Sequence, residues 1–208
     1  SATSIESLPS GAVVATGSVR RNMYLSALRP DLEIVPIRGN VDTRLRKLFS
    51  PRDGERKLDA IILAAAGLKR LGLEKYIAQY IDAGKMLPAA NQGQIAIEIR
   101  EEDIELKNMV DSFCDEDAEK AACAEREFMR ELGVDCRCPV AALAKIENGK
   151  VVLDVSFASS AMEKPACVKA VGDTPAEAAF EAAKQIRKIK SGEVVLVGAG
   201  PGNPDFIT

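Results

Sequence analysis

The first 50 residues repeat one arrangement twice: a short β-prone run, a polar turn and a helical stretch. The first unit has its strand at residues 11–15 and its helix at 19–28, and the second has its strand at 32–37 and its helix at 41–49. Because repeated strand–helix units bury their apolar faces against a common sheet, this pattern predicts an α/β lobe built of βαβ layers.

Three further segments extend this lobe. Residues 59–65 form an almost uninterrupted apolar run, which is typical of a strand buried on both faces, so we expect a central strand there and a helix or turn over 67–71. Residues 74–82 are amphipathic, and a loop then leads into a last predicted strand at 94–99.

A different kind of unit follows. The spacing of apolar residues predicts a helix over 119–132 and strands at 141–146 and 151–158. Asn148-Gly149 between the two strands is a strong hairpin signal. This order of elements predicts a small α+β domain, for which we expect helices and a three-stranded antiparallel sheet.

The last predicted helix covers residues 174–190. Thr174 stands at its N-cap, Pro175 at the first helical position and Glu177 at the capping-box position. Upstream of the α+β domain, the segment from Glu101 to Lys120 is strongly acidic, and we interpret it as a solvated helix face.

These elements divide the chain into five predicted parts. They are a linker or expression remnant at 1–7, the α/β lobe at 8–100, an acidic connecting segment at 101–118, the α+β domain at 119–190 and a tail at 191–208.

Composition excludes several kinds of function. Histidine is absent, which removes the commonest general base near neutral pH and every triad built on imidazole. No apolar run reaches the length of a membrane span and the start lacks a signal sequence, so we expect a cytoplasmic protein that does not bind membranes. A net charge of −3 and an aromatic content of 4% argue against nucleic-acid binding.

The five cysteines also lack the pattern of a metal site or a disulfide framework, since they are odd in number and have no paired CxxC spacing. We therefore expect no bound metal. The five cysteines are Cys114, Cys123, Cys136, Cys138 and Cys167.

Basic residues are concentrated in the two repeated units. Arg20, Arg21, Arg38 and Arg44 all follow predicted strands, where open α/β sheets bind ligands beside the N–H groups of helix starts. Arginine binds carboxylates through two parallel hydrogen bonds, so this cluster fits a ligand with many carboxylates. Hydroxyl groups of Thr16 and Ser18 add donors. Ordinary surface arginines in helix-stabilising pairs remain an alternative at this point.

The sequence resembles the porphobilinogen deaminases from about residue 8 to residue 189. Similarity to the second domain of that family is carried by GAVVATGSVRRNMYL, LRPDLEIVPIRGNVDTRLRKL, DAIILAAAGLKRLGLE and LPAANQGQIAIEIR. Similarity to the helix and cofactor loop of the third domain is carried by AEREFMRELGVDCRCPVAALAKI. Several long motifs occur in the family's order, so the resemblance is specific.

The resemblance implies a lobe like those of periplasmic binding proteins, followed by a domain that carries a covalent dipyrromethane cofactor. It implies a transferase of porphyrin and heme biosynthesis, a hydroxymethylbilane synthase, which joins four porphobilinogens with release of ammonia. A monomeric protein is expected. Each added ring brings an acetate and a propionate, which explains an arginine-lined crevice.

The resemblance also assigns roles to individual residues. The family's cofactor ligands correspond to Arg20, Arg21, Ser18 and Thr16. Its substrate-carboxylate ligands correspond to Arg38, Arg44, Arg70 and Gln92.

The cofactor loop of the family usually reads GGC, a variable residue, an aliphatic residue and proline. Here Cys136 is three residues before Pro139, so it is the expected attachment site. Cys138 occupies the aliphatic position and is the alternative. Asp135 replaces the second glycine, and its charge opposes formation of the thiolate. For the other three cysteines we expect small buried hydrophobic side chains.

The acid–base aspartate of the family lies in a first domain upstream of the matched region. Asp42 and Asp59 lie near the motifs, yet neither matches that role, so we expect this chain alone not to turn over porphobilinogen. The tail, SGEVVLVGAGPGNPDFIT, resembles the opening of uroporphyrinogen-III C-methyltransferases, which indicates a fused bifunctional parent. The rival interpretation is a non-catalytic module that binds a small carboxylate or another anion.

Overall fold

The structure, a computed structural model, describes residues 3–135 and 137–191. Two predictions from the sequence lie outside this range: the cofactor attachment at Cys136 and, beyond residue 191, the methyltransferase-like tail. No helix in the described part of the chain is both long enough and apolar enough to span a bilayer.

Three short parallel strands form the sheet of the first unit. They are β1 (Val13–Ala15), β2 (Glu33–Val35) and β3 (Ala60–Ile61), in the order β2-β1-β3. Hydrogen bonds join β1 to a neighbour on each side. The predicted parallel sheet is therefore confirmed, with β1 as its central strand.

The expectation of a long central strand at 59–65 is wrong. Only two of these residues pair, at the edge of the sheet beside β1, and both are partly exposed. The apolar run continues directly into helix α3 (Ala65–Arg70), so its hydrophobicity belongs to two elements instead of one.

Helices α1 (Val19–Leu28) and α2 (Val41–Phe49) have the predicted bounds. Each begins at a side chain that caps it. The Ser18 hydroxyl accepts a hydrogen bond from the Arg21 N–H, and the Asn40 side chain accepts one from the Thr43 N–H. Such caps satisfy N–H groups that have no partner inside the helix.

The amphipathic stretch at 74–82 contains a single 3-10 turn, Glu74–Tyr76. The strand expected at 94–99 is absent: these residues have no regular structure, and Ile95 is 80% exposed. An alternating apolar pattern needs a partner strand to bind its backbone groups, and the described residues place none beside this segment.

The first residues are not simply a linker. Ile5 and Leu8 are buried in the core of the first unit. The Arg29 guanidinium at the end of α1 donates to their carbonyl oxygens, at 2.8 and 3.0 Å. No local pattern around Ile5 and Leu8 predicts an element, because their contacts depend on a side chain more than 20 residues away.

The acidic region contains α4 (Ile104–Asp111) and the start of α5 (Glu116–Leu132). Residues 111–120 are all exposed, as expected for a solvated face. Helix α5 begins three residues earlier than predicted because the Asp115 carboxylate caps it, accepting from the Ala118 N–H at 2.9 Å.

The second unit has the predicted three-stranded antiparallel sheet. Its strands are β4 (Val140–Glu147), β5 (Lys150–Phe157) and β6 (Ala166–Gly172), in sequence order. Asn148 and Gly149 join β4 to β5 with φ of 52° and 76°, the left-handed values that a tight two-residue hairpin needs.

Helix α6 (Pro175–Ser191) closes the second unit against the sheet and α5. Its predicted capping box is confirmed. The Thr174 hydroxyl accepts from the Glu177 N–H at 3.2 Å, and the Glu177 carboxylate accepts from the Thr174 N–H at 3.3 Å.

The cores of the two units meet. Ala141 and Ala158, at the ends of β4 and β5, are buried among apolar residues of the first unit such as Met23. In the same interface, the Tyr24 hydroxyl lies 2.5 Å from the Ser156 Oγ. The first unit therefore packs directly on the second, which fixes α1 relative to the antiparallel sheet.

Candidate functional site

The turn after β1 places two hydroxyl groups at the carboxyl end of the parallel sheet. Thr16 is buried, and its N–H donates to the Val35 carbonyl at 3.0 Å, which ties the turn to β2. The Thr16 hydroxyl accepts from the Ser18 N–H at 3.2 Å. A β-carbon on Gly17 would lie 2.8 Å from the Ile37 carbonyl, so only glycine allows this approach of the two turns.

The turn after β2 and the start of α2 place Arg38 and Arg44 opposite the turn after β1. Gly39 has φ of 114°, and its carbonyl accepts from Arg44 Nε at 2.8 Å. Lys47 donates to the Arg38 carbonyl at 3.4 Å. The second turn is thus held by basic side chains of its own helix, α2, while the guanidinium of Arg38 is left exposed.

A cleft of about 490 Å³ lies between these two turns. It contains four residues of the predicted site, Thr16, Ser18, Arg38 and Arg44, together with backbone at the start of α1. Its position, beyond the carboxyl ends of adjacent parallel strands, is where open α/β sheets bind ligands. Asn22 also lines this cleft, although it is not among the residues predicted from the sequence. Its position one helical turn after the Ser18 cap could have indicated it.

Arg21 lies beside this cleft. Its guanidinium donates to the Ile62 carbonyl at 3.1 Å and is half-buried. Burial lowers the pKa of the Arg21 side chain, and the nearby positive charge of Arg44 lowers it further. Arg21 and Arg44 thus both add positive charge at the carboxyl end of the parallel sheet, which favours binding of an anion there.

Arg20 points elsewhere. It is buried, donates to the Leu87 carbonyl at 2.5 Å and contacts the Gln92 Oε1 at 3.4 Å. Burial lowers the pKa of the Arg20 guanidinium to about 10, so the group is still charged at neutral pH. The two adjacent arginines therefore reach different segments, residues 62 and 87–92.

The remaining predicted ligands lie outside the lining of the cleft. Arg70 is exposed at the last position of α3. Gln92 is exposed on the turn that contacts Arg20. The structure thus brings together four of the predicted residues, places Arg21 next to them, and sets Arg20 with Gln92 in a second group.

The two acids near the family motifs, Asp59 and Asp42, lie outside the lining of the cleft. The Asp59 carboxylate accepts from the Val13 N–H at 2.8 Å and so joins the starts of two strands. Asp42 is exposed in the first turn of α2 and lines a separate small groove. Within the described part of the chain, no aspartate or glutamate lines the cleft.

The cysteine loop is described on both sides of Cys136. Asp135 forms an ion pair with Arg137 at 2.6 Å, and this guanidinium lowers the pKa of the Asp135 carboxyl. Its negative charge is therefore partly neutralised. Cys138 is partly buried, packs against the core of the second unit and donates its N–H to the Asp135 carbonyl at 3.0 Å.

The expectation for the three other cysteines is wrong. Cys114, Cys123 and Cys167 are all exposed. Cys114 lies in the exposed acidic region, Cys123 on the outer face of α5, and Cys167 at an outward position of β6. Their residue type indicated burial, whereas the face of each element decides it.

Comparison with protein families identifies the chain. The family model "Porphobilinogen deaminase, dipyromethane cofactor binding domain" matches residues 1–108, and "Porphobilinogen deaminase, C-terminal domain" matches residues 119–189. The chain belongs to the porphobilinogen deaminase family. The first match contains both turns of the cleft, and the second contains the cysteine loop.

Individual relatives agree with the family models. A porphobilinogen deaminase of Roseiflexus sp. (strain RS-1) is 48% identical over 149 residues, which cover 72% of this chain and 48% of the relative. One from Lachnospira eligens is 40% identical over 184 residues, covering 88% of this chain and 61% of the relative. The chain therefore spans roughly half the length of these curated relatives.

Proposed function

We propose that this chain belongs to a hydroxymethylbilane synthase, a transferase that joins four porphobilinogens into a linear tetrapyrrole with release of ammonia. The observation that carries this proposal is the cleft between the turns after β1 and β2, with Arg38 and Arg44 in its lining and Arg21 beside it. Family membership and this cationic cleft support the same chemistry.

The charge of the ligand explains the arginines. Each pyrrole ring carries an acetate and a propionate, so every addition brings two negative charges into the site. Guanidinium groups bind such carboxylates with paired, charge-assisted hydrogen bonds. We assign Arg20, Arg21, Ser18 and Thr16 to the carboxylates of the cofactor, and Arg38, Arg44, Arg70 and Gln92 to those of the growing chain.

The described residues fit a dipyrromethane cofactor because a polycarboxylate suits a cleft lined by arginines and hydroxyls. The group supplies the primer to which new pyrroles are joined. We propose Cys136 as its attachment site, with Cys138 as the alternative. Two observations support this choice: Arg137 neutralises the adjacent Asp135, and Cys138 packs against the core. A thiolate forms more readily beside a neutralised carboxylate.

The acid–base group is proposed to come from another part of the complete enzyme. The lining of the cleft contains no carboxyl group among the described residues, and loss of ammonia requires a proton donor. The role of this chain is accordingly to bind and orient, and we expect it not to be competent in turnover alone.

Intact mass spectrometry of the complete enzyme tests this function. Its mass should exceed that of the polypeptide by one dipyrromethane, Cys136→Ser should lose the excess and Cys138→Ser should keep it. The reverse result would move the attachment to Cys138. An unmodified complete enzyme that binds carboxylates would instead support the rival function, a non-catalytic anion-binding module.

Several finer assignments belong to the same proposal. We propose a lobe of the periplasmic-binding-protein type at 8–100 and a cofactor-attachment domain at 119–190, joined by the segment 101–118. The protein is proposed to be cytoplasmic and monomeric. Residues 191–208 are proposed to open a fused uroporphyrinogen-III C-methyltransferase.

A further inference from the structure

A buried carboxylate joins the two units at a point that the proposed chemistry does not use. Glu125 lies on α5 and is 4% exposed. Its Oε1 accepts from the Ala144 N–H on β4 at 2.8 Å, and its Oε2 accepts from the Asn91 N–H at 2.5 Å. One side chain of the second unit therefore holds a turn of the first.

Several hydrogen bonds hold this turn. Asn91 has φ of 61°, a left-handed backbone conformation that asparagine adopts more readily than most residues other than glycine. Its side-chain amide donates to the Gln94 Oε1 at 2.8 Å and to the Ala122 carbonyl on α5 at 3.3 Å. With the bond to Glu125, three hydrogen bonds fix Asn91, and two of them come from the second unit.

The residues on either side of Asn91 contact Arg20. The guanidinium donates to the Leu87 carbonyl at 2.5 Å and contacts the Gln92 Oε1 at 3.4 Å. Gln92 directly follows Asn91, so displacement of the turn would displace the Gln92 side chain. A continuous set of contacts thus runs from Glu125 through Asn91 and Gln92 to Arg20.

A carboxylate at position 125 is explained by the two donors that it meets. Burying a carboxylate is unfavourable unless it is hydrogen-bonded, and here burial raises the pKa of Glu125 while the two backbone N–H groups oppose this rise. A glutamine has one acceptor oxygen, so its NH₂ group would face one of the two N–H donors.

We infer that Glu125 is a positioning residue, which holds the 89–94 turn so that Gln92 orients the Arg20 guanidinium for a ligand carboxylate. The inference rests on the proposed function in one respect: it takes Arg20 as a carboxylate ligand. The effect of Glu125 on the position of the Arg20 guanidinium does not depend on the ligand.

The first test measures the position of Arg20 in the chain without ligand. In ¹H–¹⁵N NMR spectra, Glu125→Gln should shift the Arg20 Nε–Hε signal and the Gln92 side-chain amide signals. Glu119→Gln removes the same charge at an exposed site on the same helix and should leave both signals unchanged. Unchanged signals in a folded Glu125→Gln protein overturn the inference.

A second variant applies if Glu125→Gln does not fold. Glu125→Asp keeps the carboxylate charge but shortens the side chain by one methylene, so it cannot reach both the Ala144 N–H and the Asn91 N–H. The same two sets of signals should shift. Their constancy in a folded Glu125→Asp protein counts against the inference in the same way.

The second test separates positioning from general stabilisation. Calorimetric titration with a free dipyrromethane that carries acetate and propionate groups should show about tenfold weaker binding for Glu125→Gln and for Gln92→Ala, as expected for loss of a hydrogen bond to a charged group. In the Gln92→Ala background, Glu125→Gln should add less than about twofold, because both act on one contact. Fully additive effects overturn the route through Gln92. If the unmodified chain does not bind this dipyrromethane, the proposed cofactor site fails instead, and the NMR test still decides the role of Glu125.

Discussion

The buried hydroxyl pair between the two units gives a quantitative test of how they are held together. Tyr24 on α1 is 6% exposed and Ser156 on β5 is fully buried, with their oxygens 2.5 Å apart. Tyr24→Phe removes this partner from the Ser156 hydroxyl without creating a large cavity. A buried polar group that loses its partner costs about 1–3 kcal/mol, and we expect a loss of about 1.5 kcal/mol.

Urea unfolding followed by circular dichroism measures this loss. With a slope of about 2 kcal/mol per molar urea for a chain of this size, the midpoint should fall by about 0.75 M. Tyr80→Phe is the matched control, because Tyr80 is 58% exposed. Its midpoint should stay within the range of ordinary surface substitutions, about 0.5 kcal/mol.

A double-mutant cycle with Ser156→Ala completes this test. When both hydroxyls are absent, neither group is left buried without its partner, so the double variant should lose about 1 kcal/mol less than the sum of the single variants. Strictly additive losses, or a Tyr24→Phe protein as stable as the wild type, would refute the reasoning.

Three further predictions concern a close backbone contact, an ion pair and turnover. Gly172→Ala would place a β-carbon 2.5 Å from the Ala178 amide nitrogen, so it should cost about 1–3 kcal/mol in urea unfolding, whereas Gly67→Ala meets its nearest atom at 4.0 Å and should change little; equal effects contradict this contact. The Arg46 guanidinium lowers the pKa of Glu55 from 4.5 to about 2, so stabilisation by ionised Glu55 is present above pH 4.5 and is lost as pH falls toward 2. Glu55→Gln should therefore lose less stability than the wild type between pH 5 and pH 2, and an equal loss would exclude this contribution. The isolated chain should consume no porphobilinogen in a steady-state assay, and sustained turnover would show that it contains its own acid–base group.

Local sequence predicted the elements whose ends depend on local chemistry. Helices α1 and α2 have the expected bounds because Ser18 and Asn40 cap them, and the β4–β5 hairpin forms because Asn148-Gly149 adopts left-handed φ. The meeting of Arg38 and Arg44 with Thr16 and Ser18 in one cleft was also predictable, since residues after neighbouring parallel strands meet at one edge of the sheet.

Long-range contacts were not predictable in this way. An apolar run does not reveal whether its residues pair on two sides, so the pattern at 59–65 predicts a central strand where the structure has a two-residue edge strand. The segment 94–99 has a strand pattern but no partner among the described residues. Arg20 donates a hydrogen bond to a carbonyl 67 positions away, and Glu125 accepts one from a turn 34 positions away. No local pattern encodes such distances.

Binding of porphobilinogen to the arginine cleft is the measurement that tests the account most directly. Calorimetric titration of this chain should show salt-sensitive binding, which Arg38→Gln combined with Arg44→Gln weakens by about tenfold or more, since charge-assisted bonds to carboxylates are lost. Arg52→Gln, at an exposed site outside the cleft lining, should bind like the wild type. Equal affinity of the cleft variant and the wild type would contradict the account.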